Sequence, residues 1–206
     1  MILLARHGET DDNRARRFQG RRDPPLNDTG RAQARDLATE VRDERVVALY
    51  ASPLARAWET ASIAGEVLGL DPRPDERLVE VDVGDWTGRL HDEVAATEPQ
   101  AYQAWVDADE CFRFPGGESI GEQRERVAAA MADIRGAVDG LALVVCHGGT
   151  IRAALLHALG PDALALRPPN GSVHRLPACL CPSPAATRCA RRSRRPGAPV
   201  AGGDWV

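Results

Sequence analysis

The sequence predicts an α/β fold, a mostly parallel sheet with helices on both faces, and three observations carry that prediction. Two short, wholly apolar runs, 2–5 and 141–146, have the length and composition of strands buried on both sides. Between them, further apolar runs alternate with segments of helical periodicity, the pattern of a sheet wrapped by crossover helices. Both apolar runs end in the same way, at Arg6-His7-Gly8 and at Cys146-His147-Gly148. Open α/β sheets place ligands at the carboxyl ends of their strands. Two imidazoles are therefore expected side by side in one crevice, each followed by a glycine that lets backbone approach a ligand.

Each element follows in order. Residues 7–30 form a polar, Arg-rich loop of a length that signals function. Thr29 is placed to cap a helix over 31–42, where Ala34, Leu37, Ala38 and Val41 recur at helical spacing. Residues 46–51 read as a strand, and Ser52-Pro53 opens a helix over 54–68 that Gly69 closes. Residues 78–81 read as a short strand or extended segment, and 83–88 as turns. A helical stretch over 90–108 precedes an aromatic-rich loop, 111–117. Ser119 with Glu122 forms a capping box for a helix to about Val138. The strand 141–146, a helix after Gly149 and a short strand after Asn170-Gly171-Ser172 complete the pattern.

At 206 residues one domain is expected, with 43% hydrophobic and 27% charged residues. The net charge of −4 hides an asymmetry: residues 177–206 carry five Arg and one acid, so the remainder stands at −8. That body excludes a general nucleic-acid-binding surface. There is no Lys, so every basic contact falls to Arg, whose planar fork suits phosphate. Five cysteines, an odd number without a disulfide-like framework, favour a reducing compartment. Cys179, Cys181 and Cys189 fit no usual zinc spacing. No signal peptide is expected from the short apolar start, and no run approaches the ~20 apolar residues of a membrane helix. The chain reads as cytoplasmic, with no membrane and no nucleic-acid partner; monomer and homodimer both stay open.

The domain is expected to span 1–176. Residues 177–206, rich in Pro, Cys and Arg, have too little apolar surface to offset the entropy of ordering. They read as a disordered basic extension or as the product of a shifted reading frame near the end of the gene.

The motifs carry a resemblance. Arg6-His7-Gly8-Glu9-Thr10, then Asn13, then Phe18-Gln19-Gly20 are similar to the signature of the histidine phosphatase superfamily, the phosphoglycerate-mutase-like enzymes. The likeness continues through Thr29-Gly30, Ser52-Pro53-Leu54 with Arg56, Glu80 ahead of Gly84-Asp85-Trp86-Thr87-Gly88, Pro115-Gly116-Gly117-Glu118-Ser119, His147-Gly148-Gly149 and Asn170-Gly171-Ser172-Val173. It implies a three-layer sandwich and a phosphoryl-transfer reaction. His7 would attack phosphorus as a neutral imidazole, splitting one displacement into two. Arg6, Arg56 and His147 would surround the phosphoryl oxygens, so no metal or other cofactor is implied. Asn13 would add a neutral donor, Phe18 and Gln19 would line the entrance, and Gly20 and Gly148 complete the implied substrate-binding set.

Glu80 matches the family's general acid, with Glu9 and Asp82 as rivals by residue type alone. Arg14, Arg16, Arg17, Arg21 and Arg22 either draw acidic substrates or are solvated charges. His91, His157 and His174 read as surface or packing residues. The chain is short where cofactor-dependent mutases carry insertions, which favours hydrolysis of a small phosphomonoester over mutase-type transfer. A non-catalytic phospholigand-binding protein is the reading from another class, and the intact set of His7, Arg6, Arg56, Glu80 and His147 speaks against it.

Overall fold

The computed structural model describes residues 1–177. In chain order it runs β1 (Ile2–Arg6), α1 (Asp11–Arg14), α2 (Asp28–Glu40), β2 (Val46–Ala51), α3 (Ala55–Leu68), β3 (Pro72–Pro74), α4 (His91–Thr97), α5 (Pro99–Val106), α6 (Ile120–Ala137), β4 (Leu141–Cys146), α7 (Gly148–Leu159) and β5 (Val173–Leu176). The strand order is β3-β2-β4-β1-β5, parallel except for β5, which pairs antiparallel with β1.

Alternation along the strands divides the core into two layers. Ile2, Leu4, Val144 and Cys146 pack with Val127, Met131 and Ile134 of α6 and Ile151 and Leu155 of α7. Leu3, Ala5, Leu143 and Val145 point the other way, onto Leu37 and Ala38 of α2 and Ala57, Ala61 and Ala64 of α3. That is the three-layer sandwich the sequence implies. A third cluster, outside the sheet, gathers Phe18, Val81, Val83, Trp86, Val94, Phe114 and Ile120. It absorbs most of the few aromatic residues and anchors the segments that wall the crevice.

Several boundaries differ from the sequence reading, each for a local reason. The cap of α2 is Asn27, whose Oδ1 accepts from the Gly30 amide at 2.8 Å, so Thr29 lies inside the first turn. The loop after β1 contains a single helical turn, α1, closed by a capping box between Thr10 and Asn13. Pro99 starts a new helix and divides the expected 90–108 stretch in two. β3, absent from the sequence reading, is an edge strand bounded by prolines, where a missing amide donor does least harm. Of the two readings of residues 78–81, the structure has the extended segment: a 3-10 turn, Glu76–Leu78, leads into it, and it has no ladder partners among the described residues. The expectations for the tail concern residues outside those described, apart from Pro177.

Candidate active site

Register sets the two His-Gly ends together. β1 and β4 are neighbours with Arg6 opposite Cys146, and the His7 amide donates to the Cys146 carbonyl at 3.0 Å. The rings of His7 and His147 lie edge to face with centroids 5.1 Å apart. Gly8 serves the fold more than a ligand: a Cβ there would strike the Gly30 carbonyl, and one on Gly30 would strike Glu9. The two glycines thus let the loop after β1 lie directly on the start of α2.

The surroundings of His7 fix its tautomer. Nδ1 lies 2.7 Å from the Gly8 carbonyl oxygen, which only accepts, so Nδ1 carries the proton. Nε2 then holds the lone pair, and the Arg56 Nε–H donates to it at 3.2 Å. Burial pushes the His7 imidazole well below its ordinary pKa, and Arg56 and Arg6 push the same way. The ring is neutral at neutral pH, with the nucleophilic nitrogen defined.

Arg56 sits in the first turn of α3 and is 1% exposed. Its Nη1 donates to the Arg22 carbonyl at 2.7 Å and its Nη2 to the Gly20 carbonyl at 3.0 Å. Gly20, at φ +52°, bends the backbone so that both carbonyls converge on the guanidinium. One N–H on each Nη is left for a ligand oxygen. Arg6, at the end of β1, donates from Nη1 to the Pro168 carbonyl at 2.7 Å. Burial lowers both guanidinium pKa values to about 10, with Glu80 pulling the other way, so both remain charged at neutral pH.

Glu80 faces these cations from the extended segment after the 3-10 turn. Its Oε2 accepts from the Gly149 amide in the first turn of α7 at 3.0 Å. Its Oε1 accepts from its neighbour Val81 at 2.8 Å and from Gln123 Nε2 at 3.3 Å. A Cβ on Gly149 would strike Oε1, so this glycine is what admits the carboxylate to the helix N-terminus.

His147 follows the last residue of β4, with its ring against that of His7. It is fully buried, and its Nε2 lies 2.8 Å from Ser52 Oγ at the end of β2. Among the described residues its Nδ1 is buried without a hydrogen-bond partner. Burial, then Arg56, His7 and Arg6, hold its pKa well below the ordinary histidine range.

One cleft joins these groups. Arg6, His7, Asn13, Phe18, Gln19, Gly20, Arg56, Glu80 and Gly148 line it. The Asn13 carbonyl oxygen accepts from the Thr10 amide and hydroxyl and from Asn170 Nδ2, which leaves the amide nitrogen as its donor. Gln19 is held by Thr10 Oγ1 at 3.1 Å. Glu9 and Asp82 face elsewhere: Glu9 accepts from Asn27 Nδ2, and Asp82 Oδ1 accepts from the Gly84 amide. Of the entrance arginines, Arg16 and Arg17 line the cleft, while Arg14 pairs with Asp11, Arg21 leans toward Asp82 and Glu118, and Arg22 toward Asp12.

Of the two readings of His91, surface or packing, the structure has the second: its ring is buried among aromatic side chains. It is a wall residue, stacked face to face on Phe18 at 3.9 Å, and burial lowers its pKa to about 4. His157 and His174 stay partly buried away from the cleft, His174 against Ser172 Oγ at 2.9 Å. Gln123, Arg124, Arg152 and Arg167 line the cleft without having been singled out in the sequence. Gln123 carried a usable signal, lying one position past the capping box of α6 and one turn before the buried Val127. Among the described residues, no group of three or more His, Cys, Asp or Glu side chains is arranged to hold a metal ion. Nor, among them, is any helix long and apolar enough to cross a membrane.

Residues 2–178 match the model of the histidine phosphatase superfamily (branch 1). Phosphoserine phosphatase 1 of Hydrogenobacter thermophilus is 34% identical over 162 residues, covering 78% of this chain and 77% of that one. A probable phosphoglycerate mutase of an Enterobacter species is 37% identical over 179 residues, covering 85% of this chain and 83% of its own length. Among solved structures, a mycobacterial glucosyl-3-phosphoglycerate phosphatase in complex with VO3 superposes with a TM-score of 0.76 at 34% identity. That superposition covers 84% of this chain and 88% of the other.

Proposed function

The chain belongs to the histidine phosphatase superfamily, and from that premise we propose that it is a metal-independent phosphomonoesterase working through a phosphohistidine on His7. The observation that carries this reading is the pair of contacts on the His7 ring, which leaves the lone pair on Nε2 beside Arg56. In the first step Nε2 attacks phosphorus and the bond from phosphorus to the ester oxygen breaks. Glu80, protonated, gives its proton to that oxygen and the alcohol leaves. Positive charge grows on the ring as the P–N bond forms, and the Gly8 carbonyl meets it at Nδ1–H. In the second step Glu80, now a carboxylate, takes a proton from water whose oxygen attacks phosphorus. The P–N bond breaks and inorganic phosphate and neutral His7 are regenerated.

Arg6 and the two uncommitted N–H groups of Arg56 hold the equatorial oxygens, where charge must be carried through both transfers. With the Ser52 hydroxyl donating a hydrogen bond to Nε2, the proton of the neutral His147 ring sits on Nδ1, and that N–H is the donor a phosphoryl oxygen would satisfy. The substrate is a small phosphomonoester of the kind named in the relatives, phosphoserine or a phosphoglycerate derivative. Mutase-type transfer is the second reading, favoured by the Enterobacter relative's name.

Phosphate release from a panel of phosphorylated metabolites, with and without EDTA, tests the proposal. Hydrolysis that survives the chelator and outruns isomerisation of 3-phosphoglycerate is the expected result. Activity abolished by EDTA and restored by magnesium or zinc would overturn the metal-independent mechanism.

A further inference from the structure

Two features stand outside the reaction as described: the Pro115-Gly116-Gly117-Glu118-Ser119 motif, and an arginine on α6 that lies outside the cleft wall. They meet at the backbone that carries Glu80. Residues 77–82 have no strand partners among the described residues, so their carbonyls must find donors outside a ladder. Arg126 supplies three of these donors and turns its other two N–H groups to Glu118. Nη1 donates to the Arg77 carbonyl at 2.7 Å and the Val79 carbonyl at 2.8 Å. Nη2 donates to the Glu80 carbonyl at 3.3 Å and to Glu118 Oε2 at 2.9 Å, and Nε donates to Glu118 Oε1 at 2.6 Å. Five N–H groups thus meet five acceptors, three of them on the acid's own segment.

Glu118 grips the same segment directly. Its Oε2 also accepts from the Asp82 amide at 3.2 Å, and its own amide donates to the Asp82 carbonyl at 2.9 Å. The glycines of the motif permit this closeness: a Cβ on Gly117 would strike the Asp82 carbonyl, and one on Gly84 the Pro115 carbonyl. Glu118 and Arg126 are largely shielded, with side chains 10% and 17% exposed, so the fork-to-fork pair is better insulated than the surface ion pairs of this chain. The same helix face supplies Gln123 to the Glu80 carboxylate.

We infer that Arg126, with Glu118 as its counter-ion, is a positioning residue for the acid Glu80, holding the segment that carries it at the mouth of the phosphate pocket. The inference rests on the reading of Glu80 as the acid. A lysine cannot replace Arg126, because three donors on a point charge cannot bind five acceptors in a plane. Displacing the segment moves the carboxyl away from the ester oxygen while leaving His7, Arg6 and Arg56 in place, since those are fixed from β1 and α3. The defect should therefore fall on protonation of the leaving group.

The test compares benzyl phosphate, whose alkoxide needs a proton, with 4-nitrophenyl phosphate, whose phenolate does not. Arg126→Lys should lower kcat for benzyl phosphate by on the order of 10²-fold and leave 4-nitrophenyl phosphate within a few fold. Glu118→Gln should give a smaller loss with the same contrast, and reads the effect if Arg126→Lys fails to fold. In the Glu80→Gln background, Arg126→Lys should cost nothing further on benzyl phosphate. Equal losses on both substrates, or full additivity with Glu80→Gln, would overturn the positioning role. If Glu80→Gln itself shows no contrast between the two esters, the acid assignment fails and this inference falls with it.

Discussion

The two strand ends look alike in sequence and do different work. After β1, His7 reaches the cleft with its proton fixed on Nδ1 by Gly8 and its lone pair beside Arg56. After β4, His147 is fully buried, bonds to Ser52 and, among the described residues, keeps one nitrogen unpartnered. The difference lies in what each strand continues into. The chain after His7 runs on as a loop whose glycine packs on Gly30, whereas the chain after His147 becomes α7 at once, with His147 as its N-cap residue. A His-Gly strand end therefore brings an imidazole to the site. Its neighbours decide which of its nitrogens is held and which is left open.

The largest expected effect separates the two histidines. His7→Ala should lose roughly 10⁴-fold or more in kcat, because it removes the attacking atom. His147→Ala should lose about 10²–10³-fold, the usual scale for one donor to developing charge. Steady-state rates on 4-nitrophenyl phosphate measure both. Equal losses would erase the distinction drawn between them, and a more damaging His147→Ala would reverse it.

The glycines sharpen the same comparison. Gly8→Ala meets backbone on Gly30 and should destabilise the protein by about 1–3 kcal/mol, read as a lower urea midpoint. Gly149→Ala meets the Glu80 carboxylate, a side-chain end that can move. Its stability should change less, while hydrolysis of alkyl phosphates falls more than that of aryl phosphates. Should Gly149→Ala unfold the protein and Gly8→Ala leave it intact, the two glycines have been assigned the wrong way round.

A smaller effect concerns pH. Folding lowers the pKa of His7 and His147, mainly by burial, so below the unfolded value of about 6.5 the unfolded chain binds more protons than the folded one. Stability present above that pH is then lost as pH falls. Urea unfolding at pH 7.5 and 5.5 should show the decline. It should be smaller in a His147→Asn variant if that variant folds, because one buried imidazole has been removed.

Much of this was legible in the sequence, and the remainder was not for definite reasons. The β1 and β4 runs, the α3 boundaries with Gly69 and the Ser119–Glu122 capping box depend on local periodicity and turn chemistry, and the structure has all of them. His7, Arg6, Arg56 and Glu80 follow from motif order, and one cleft brings them together. The apolar pattern of residues 78–81 allows a strand or an extended segment, and the choice between them lies in side chains of α6 and α7, far along the chain, that take the place of a ladder. His91 packs, one of the two readings its sequence allows, and only the stacking of Phe18 on it reveals that it also walls the cleft. Arg152 and Arg167 enter the cleft through tertiary packing of segments with no motif of their own.

The most direct test of the account is to trap the intermediate. Wild-type enzyme mixed with excess 4-nitrophenyl phosphate and quenched in alkali within milliseconds should carry one phosphoryl group. Peptide mapping should place it on the His7 imidazole, with linkage at Nε2, stable in base and lost in acid; His7→Ala should carry none. An acid-stable phosphoserine, a label on His147 in the wild-type enzyme, or stoichiometric labelling of His7→Ala would contradict the account.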